Sequence, residues 1–79
     1  MGGDLDAETA FGRVLRKLRL NAGLTQEQLG FEADLRRTYV SILELGQQQP
    51  SLTTILKLAK ALNCSAAKLM AKVEQEMSG

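Results

Sequence analysis

Apolar residues along this chain recur three and four positions apart, a spacing that predicts helices and no strand. Phe11, Val14, Leu15 and Leu18 stand at i, i+3, i+4 and i+7, which is one apolar face of a helix over about 6–22. Asp6 is suited to cap its start, and Gly23, which accepts a left-handed backbone, to end it. Thr25-Gln26-Glu27-Gln28 opens a second helix with a hydroxyl at the cap and Gln three residues later, the form of a capping box. That helix runs to about Ala33 and buries Leu29, and Gly30 leaves room for a close neighbour. Asp34-Leu35 breaks the chain, since Asp tolerates positive φ in a turn.

A third helix begins near Arg36 and stops before Gly46, with Val40 and Leu43 inward. The polar loop Gln47-Gln48-Gln49-Pro50 follows. A fourth helix, capped by Ser51, is expected to bury Leu52, Ile55, Leu58, Ala59 and Leu62 and to stop at a left-handed Asn63. A fifth, over about 65–75 with Ser65 as its cap, carries Leu69, Met70 and Val73 and is expected to fray from Glu74 onward.

Helices two and three are short and joined by three or four residues, the spacing of a helix-turn-helix. Neither can bury itself alone, so the other three must form a scaffold that sets their angle. The angle matters because the second helix of such a pair must enter a DNA groove about 12 Å wide. The 79 residues are read as one domain, 1–79. A core of that size is marginal, so it must pack efficiently or oligomerise.

Charge and chemistry narrow the classes further. The net charge is only +1, but Asp4, Asp6, Glu8, Glu74 and Glu76 gather in the tails. Residues 9–68 hold nine Lys/Arg against four Asp/Glu, a balance of +5. A basic body can attract phosphate locally, although charge alone equally fits a solvated mixed surface. The chain has no histidine and one cysteine, Cys64. His-based acid–base catalysis and His-ligated metals are excluded, and one thiol cannot build a zinc or iron–sulfur site in a monomer. Cys64 reads as a small buried hydrophobe, with a redox sensor as the alternative. No glycine-rich phosphate loop occurs, because Gly2-Gly3 is a terminal pair. Met1-Gly2-Gly3-Asp4 has neither a basic region nor an apolar run, so no secretory signal is expected. No apolar stretch approaches the roughly 20 residues of a membrane span. No enzyme activity, metal, cofactor, membrane contact or small-molecule ligand is expected, and the lone thiol fits a cytoplasmic location.

Leu18-Arg19, Gly23 to Leu29, Leu35 to Ser41, Leu43-Glu44-x-Gly46, Pro50-Ser51-Leu52 and Leu58 to Leu62 follow one another without a large gap. In this joint pattern residues 13–62 resemble the Cro/repressor (Xre-like) helix-turn-helix family. The Arg37-Thr38-Tyr39 run and the short chain also resemble restriction–modification controller proteins, a subgroup of it. The resemblance implies an all-α, five-helix, lambda-repressor-like domain, with helices two and three as the DNA-reading pair. It implies a transcriptional regulator that binds double-stranded DNA as a homodimer on a short pseudo-palindromic operator. An antitoxin, or a protein–protein module on the same fold, is the alternative.

Carried over by position, the resemblance implies base contacts from Arg36, Arg37, Thr38 and Ser41, with Ile42 near the groove. For the two arginines the residues alone leave open a solvated basic pair beside Asp34. Phosphate contacts are implied for Thr25, Gln26, Tyr39, Gln47 and Gln48. Tyr39 has packing against helix two or four as its alternative, and Thr25 has capping. Relatives often carry Lys or Arg where Gln47-Gln48-Gln49 stand, so a shallower salt dependence is expected here. Arg19 and Glu44 resemble a pair that ties helix one to the end of helix three, the alternative being two independent surface charges. Lys57, Lys60, Lys68 and Lys72 read as solvated. Leu69, Met70, Val73 and Met77 offer more apolar surface on helix five than a small core needs, and are expected to form the dimer interface.

Overall fold

Four of the five helices begin at a side chain that accepts a first-turn amide, and four end in the same left-handed turn. The computed structural model describes residues 5–79; the Gly2-Gly3 pair and Asp4 lie outside the described residues. Helix α1 spans Ala7–Asn21, α2 Gln26–Ala33, α3 Arg37–Glu44, α4 Leu52–Ala61 and α5 Ala66–Met77. Asp6 accepts from the Thr9 amide at 2.8 Å. Those bonds to Thr9, from its side chain first and then its backbone, hold the Asp6 carboxyl below its ordinary value. Thr25 and Gln28 complete both halves of a capping box. Ser51 and Ser65 accept from the Thr54 and Lys68 amides.

The helix ends are equally local. Gly23, Asp34, Gly46 and Asn63 all have positive φ. In each case the next residue's amide donates to the carbonyl five residues back: Leu24 to Arg19, Leu35 to Gly30, Gln47 to Ile42 and Cys64 to Ala59. This is the Schellman closure of orphaned carbonyls. Glycine reaches the conformation freely, and Asp and Asn are the other residues that visit it at low cost.

Helix α1 packs on α3 and α5, α2 on α3 and α4, and α4 on α5. Phe11, Val14, Leu15, Leu29, Val40, Leu43, Leu58, Leu69 and Val73 meet in one buried cluster. Two glycines allow the tightest approaches. A Cβ on Gly30 would lie 2.6 Å from the Leu35 carbonyl oxygen, in the turn before α3. A Cβ on Gly12 would lie 2.5 Å from the Leu43 carbonyl oxygen and 2.6 Å from that of Glu44. Gly12→Ala is therefore expected to destabilise the fold by about 1–3 kcal/mol, the usual cost of overpacking. The sign is diagnostic, because Gly→Ala inside an unobstructed helix stabilises by up to about 1 kcal/mol. A urea midpoint that rises in this variant would contradict the α1–α3 contact.

Three sequence expectations change. Leu52 is 72% exposed and Thr54 is buried in its place. Leu52 falls in the first turn of α4, about 85° from the centre of the stripe marked by Ile55, Leu58 and Leu62 at 100° per residue. The buried Thr54 hydroxyl is satisfied by Ser51 Oγ at 3.0 Å. Ile55 and Leu62 are half-buried. Helix α5 does not fray from Glu74 but continues to Met77. Met77 packs against the core, its carbonyl accepts from the Leu5 amide, and Lys17 pairs with Glu76 at 3.0 Å. Finally, Leu69 is 0% exposed and Val73 6%, so both belong to the core of the monomer. They are corrected out of the expected dimer interface, and Met70 and Met77 are half-buried against the same core.

Candidate nucleic-acid interface

The turn Asp34-Leu35-Arg36 sets α3 across α2. Helix α3 divides cleanly by face: Val40 and Leu43 are fully buried, whereas Arg37 and Thr38 are exposed and Ser41 and Ile42 half-exposed. Arg36 occupies the N-cap position and is exposed, and α3 alone of the five helices has no side-chain cap bond. The positive end of α3 thus carries two arginines and first-turn amides that no side chain covers, an arrangement suited to an anion. Asp34 does not neutralise them. It is almost fully exposed and sits 3.8 Å from Lys57, an exposed pair worth about 0–1 kcal/mol.

Arg37 shares a shallow groove with Thr25 and Gln26 at the start of α2. Thr25 is exposed and acts as cap, so its hydroxyl is already one partner of the Gln28 amide at 3.0 Å. Tyr39 is half-buried with its ring against the core, so the packing alternative applies to the ring. Gln47 and Gln48 are exposed in the loop before α4.

Beneath this surface lies a charged node. Arg19 Nε donates to Glu44 at 2.6 Å and Nη2 donates to the same carboxylate at 3.0 Å. Arg19 Nη1 donates to the Leu24 carbonyl at 2.9 Å. The side chains are only 10% and 4% exposed, so they form a buried bidentate pair rather than two surface charges. The hydrogen bond to Glu44 raises the Arg19 pKa above its ordinary value, against the opposing effect of burial. Gln26 joins the node, its Nε2 donating to Glu44 at 3.1 Å. The resemblance implies only a phosphate contact for Gln26. Its bond to Glu44 was missed because it spans 18 positions and has no local signature.

Two further features were also missed. Leu45, Leu52 and Leu56 are large, apolar and exposed at the end of α3 and along α4. Phe31 is 85% exposed on α2. Among the described residues there is no group of side chains fit to hold a metal ion, and no helix is long and apolar enough to cross a membrane.

A five-helix fold with an open-faced third helix beside a capped second one defines a helix-turn-helix DNA-binding regulator. The chain belongs to the helix-turn-helix family of Cro/repressor (Xre-like) type, whose pattern matches residues 15–69, and is a DNA-binding transcriptional regulator. It is 43% identical over 61 residues to the control protein C.BamHI of Bacillus amyloliquefaciens, covering 76% of this chain and 75% of that one. The restriction–modification controller protein C.AhdI from Aeromonas hydrophila superposes with a TM-score of 0.75 at 48% identity, over 77% of this chain and 92% of the other. The controller protein C.Esp1396I, solved as a tetramer in complex with its natural 35 base-pair operator, superposes with a TM-score of 0.86 at 25% identity, over 96% and 100%.

Proposed function

We propose that this chain is a cytoplasmic controller-type regulator, a single domain over 1–79 that reads a pseudo-palindromic operator as a two-fold dimer. One α3 covers only a few base pairs, and two related by a dyad read half-sites about one helical turn apart. The observation that carries this reading is the grouping of Arg37 with Thr25 and Gln26 in one groove. It sets a base-reading side chain beside the residues assigned to clamp the backbone. In this reading Arg37 donates two hydrogen bonds to guanine O6 and N7. Arg36, Thr38 and Ser41 reach neighbouring base edges, and Ile42 offers apolar contact at the rim. Thr25, Gln26, the Tyr39 hydroxyl, Gln47 and Gln48 meet phosphates. The resemblance to named control proteins supports the controller role.

The dimer surface is assigned to α4. Leu52 and Leu56 are exposed one helical turn apart, and Leu56 borders a groove with Cys64 and Ala66 at the α4–α5 turn. Apolar exposure of this kind marks an interaction surface, whereas the apolar residues of α5 are largely used within the monomer.

Selection from a random duplex pool, with wild type and Arg37→Ala in parallel, tests the reading. Wild type is expected to enrich a two-fold symmetric site. Arg37→Ala is expected to lose preference at one base pair in each half-site, at a cost of about 1–3 kcal/mol of discrimination. If nothing enriches at low salt, the operator reading fails. If the variant enriches the same site with undiminished preference, Arg37 is not a base reader.

A further inference from the structure

Helix α3 carries two apolar stripes, and the core uses only one of them. Val40 and Leu43 are fully buried. At 100° per residue, Thr38, Ile42 and Leu45 lie about 170°, 130° and 170° from the centre of that buried pair. They stand at i, i+4 and i+7, one row along the outer face. Leu45 belongs to the row although it closes the helix, because its backbone is right-handed helical and its amide donates to the Ser41 carbonyl at 3.0 Å. Ile42 is half-exposed and Leu45 is 66% exposed. The row also crosses a boundary of charge. Arg36 and Arg37 stand at the start of α3, and no Lys or Arg follows until Lys57. The one charged residue between Arg37 and Lys57, Glu44, is buried and paired with Arg19. The outer face of α3 is thus cationic at its first turn and apolar and uncharged from Ile42 onward. From Thr38 to Leu45 the helix rises about 10 Å, the height of about three base steps.

An apolar side chain that faces the major groove has one apolar group to meet on the base edges, the C5-methyl of thymine. A guanine or cytosine edge set against a leucine would lose water without gaining a hydrogen-bond partner. We propose that Ile42 and Leu45 read the C5-methyl group of a thymine in each half-site. The inference rests on the operator reading above, in which α3 lies in the groove, and gives Leu45 a part in base selection. Each half-site then has two kinds of position. Near the start of α3 a guanine is chosen through hydrogen bonds to Arg37. About three base steps further along the helix, a thymine is chosen through its methyl group alone, with no charge nearby to hold any other base.

The test takes the selected operator and changes each thymine of a half-site in turn to uracil, which removes the C5-methyl and leaves every hydrogen-bonding group in place. Affinities are measured by fluorescence anisotropy. Each protein's affinity for the uracil duplex is divided by its own affinity for the thymine duplex, which cancels any effect of a variant on folding or pairing. For wild type, one thymine per half-site is expected to matter, with a loss of about fourfold when one half-site is changed and about fifteenfold when both are. In Leu45→Ser and in Ile42→Ala that loss is expected to shrink toward none, and in Leu45→Met to stay near the wild-type value, since the swap keeps apolar volume. At the mapped position 5-methylcytosine, which offers the same methyl on a different hydrogen-bonding edge, is expected to bind more tightly than cytosine by a similar factor. Indifference of wild type to uracil at every position overturns the methyl reader while leaving the operator reading intact, and gives Leu45 to a protein contact. A loss on uracil that persists undiminished in either variant overturns the role of that residue and leaves the methyl to Thr38. A 5-methylcytosine duplex that binds no better than its cytosine counterpart overturns recognition through the methyl alone. Failure of wild type to enrich any site overturns the operator reading and this inference together.

Discussion

Glu44→Ala is expected to lower folding stability by about 3–5 kcal/mol, the usual cost of breaking a buried ion pair by removing one partner. The size follows from what the deletion leaves behind. Arg19 keeps its charge at any accessible pH and loses both bonds to the carboxylate, retaining only the Leu24 carbonyl. Gln26 also loses the acceptor of its amide. Three elements are held by this one carboxylate: α1 through Arg19, the start of α2 through Gln26, and the end of α3 through Glu44 itself. The pair is not expected to contribute much net stability over apolar replacements, because desolvation offsets most of the attraction. Arg19→Met with Glu44→Leu should therefore cost less than either single change, and the four proteins form a double-mutant cycle in urea. Equal and additive losses would show that the two side chains act independently. The double variant, if folded, is also expected to bind operator more weakly than its stability explains, since only the Asp34 turn and the core contacts then hold α3 against α2.

Leu52→Glu with Leu56→Glu is expected to leave the monomer folded and to abolish pairing. Both side chains are exposed in the monomer, so the core is untouched. Two carboxylates per copy brought across a dyad would repel and be desolvated. In sedimentation equilibrium up to tens of micromolar the variant should remain monomeric while wild type associates. Affinity for the full operator should fall by roughly 10²–10⁴-fold, the usual advantage of joining two readers. Cys64, in the groove beside Leu56, supplies an independent readout: its reaction with a maleimide should slow as wild-type concentration rises and should not in the variant. A variant that still dimerises would return the interface to another surface. Met77→Gln serves as the control for α5, and is expected to leave pairing intact.

How much of this was legible beforehand depended on how local each cause is. The α2–α3 break at Asp34, the stop at Asn63 and the capping box at Thr25 were each read from two to four adjacent residues, and each is present. The exposed face of α3 followed from the same periodicity, because burying Val40 and Leu43 turns Arg37 and Thr38 outward. The errors fall where a helix has more apolar residues than one face can hold. In α4 an apolar count admitted Leu52 to the core, but the direction of α4 over α2 and α5 gave that place to Thr54. In α5 an apparent surplus of hydrophobes suggested a partner, yet the contact of α5 with α1 consumed Leu69 and Val73.

The amino-acid sequence by itself determined five helices with their caps and left-handed stops. These are consequences of backbone sterics and of hydrogen bonds spanning one turn, and such forces act between near neighbours in the chain. Only the tertiary structure decided which leucines face water, why Gly12 carries no side chain, and that Gln26 answers to Glu44. It also left Phe31 outside on α2. Those outcomes depend on how close and at what angle helices distant in sequence meet, and that geometry is settled by the packing of the whole core.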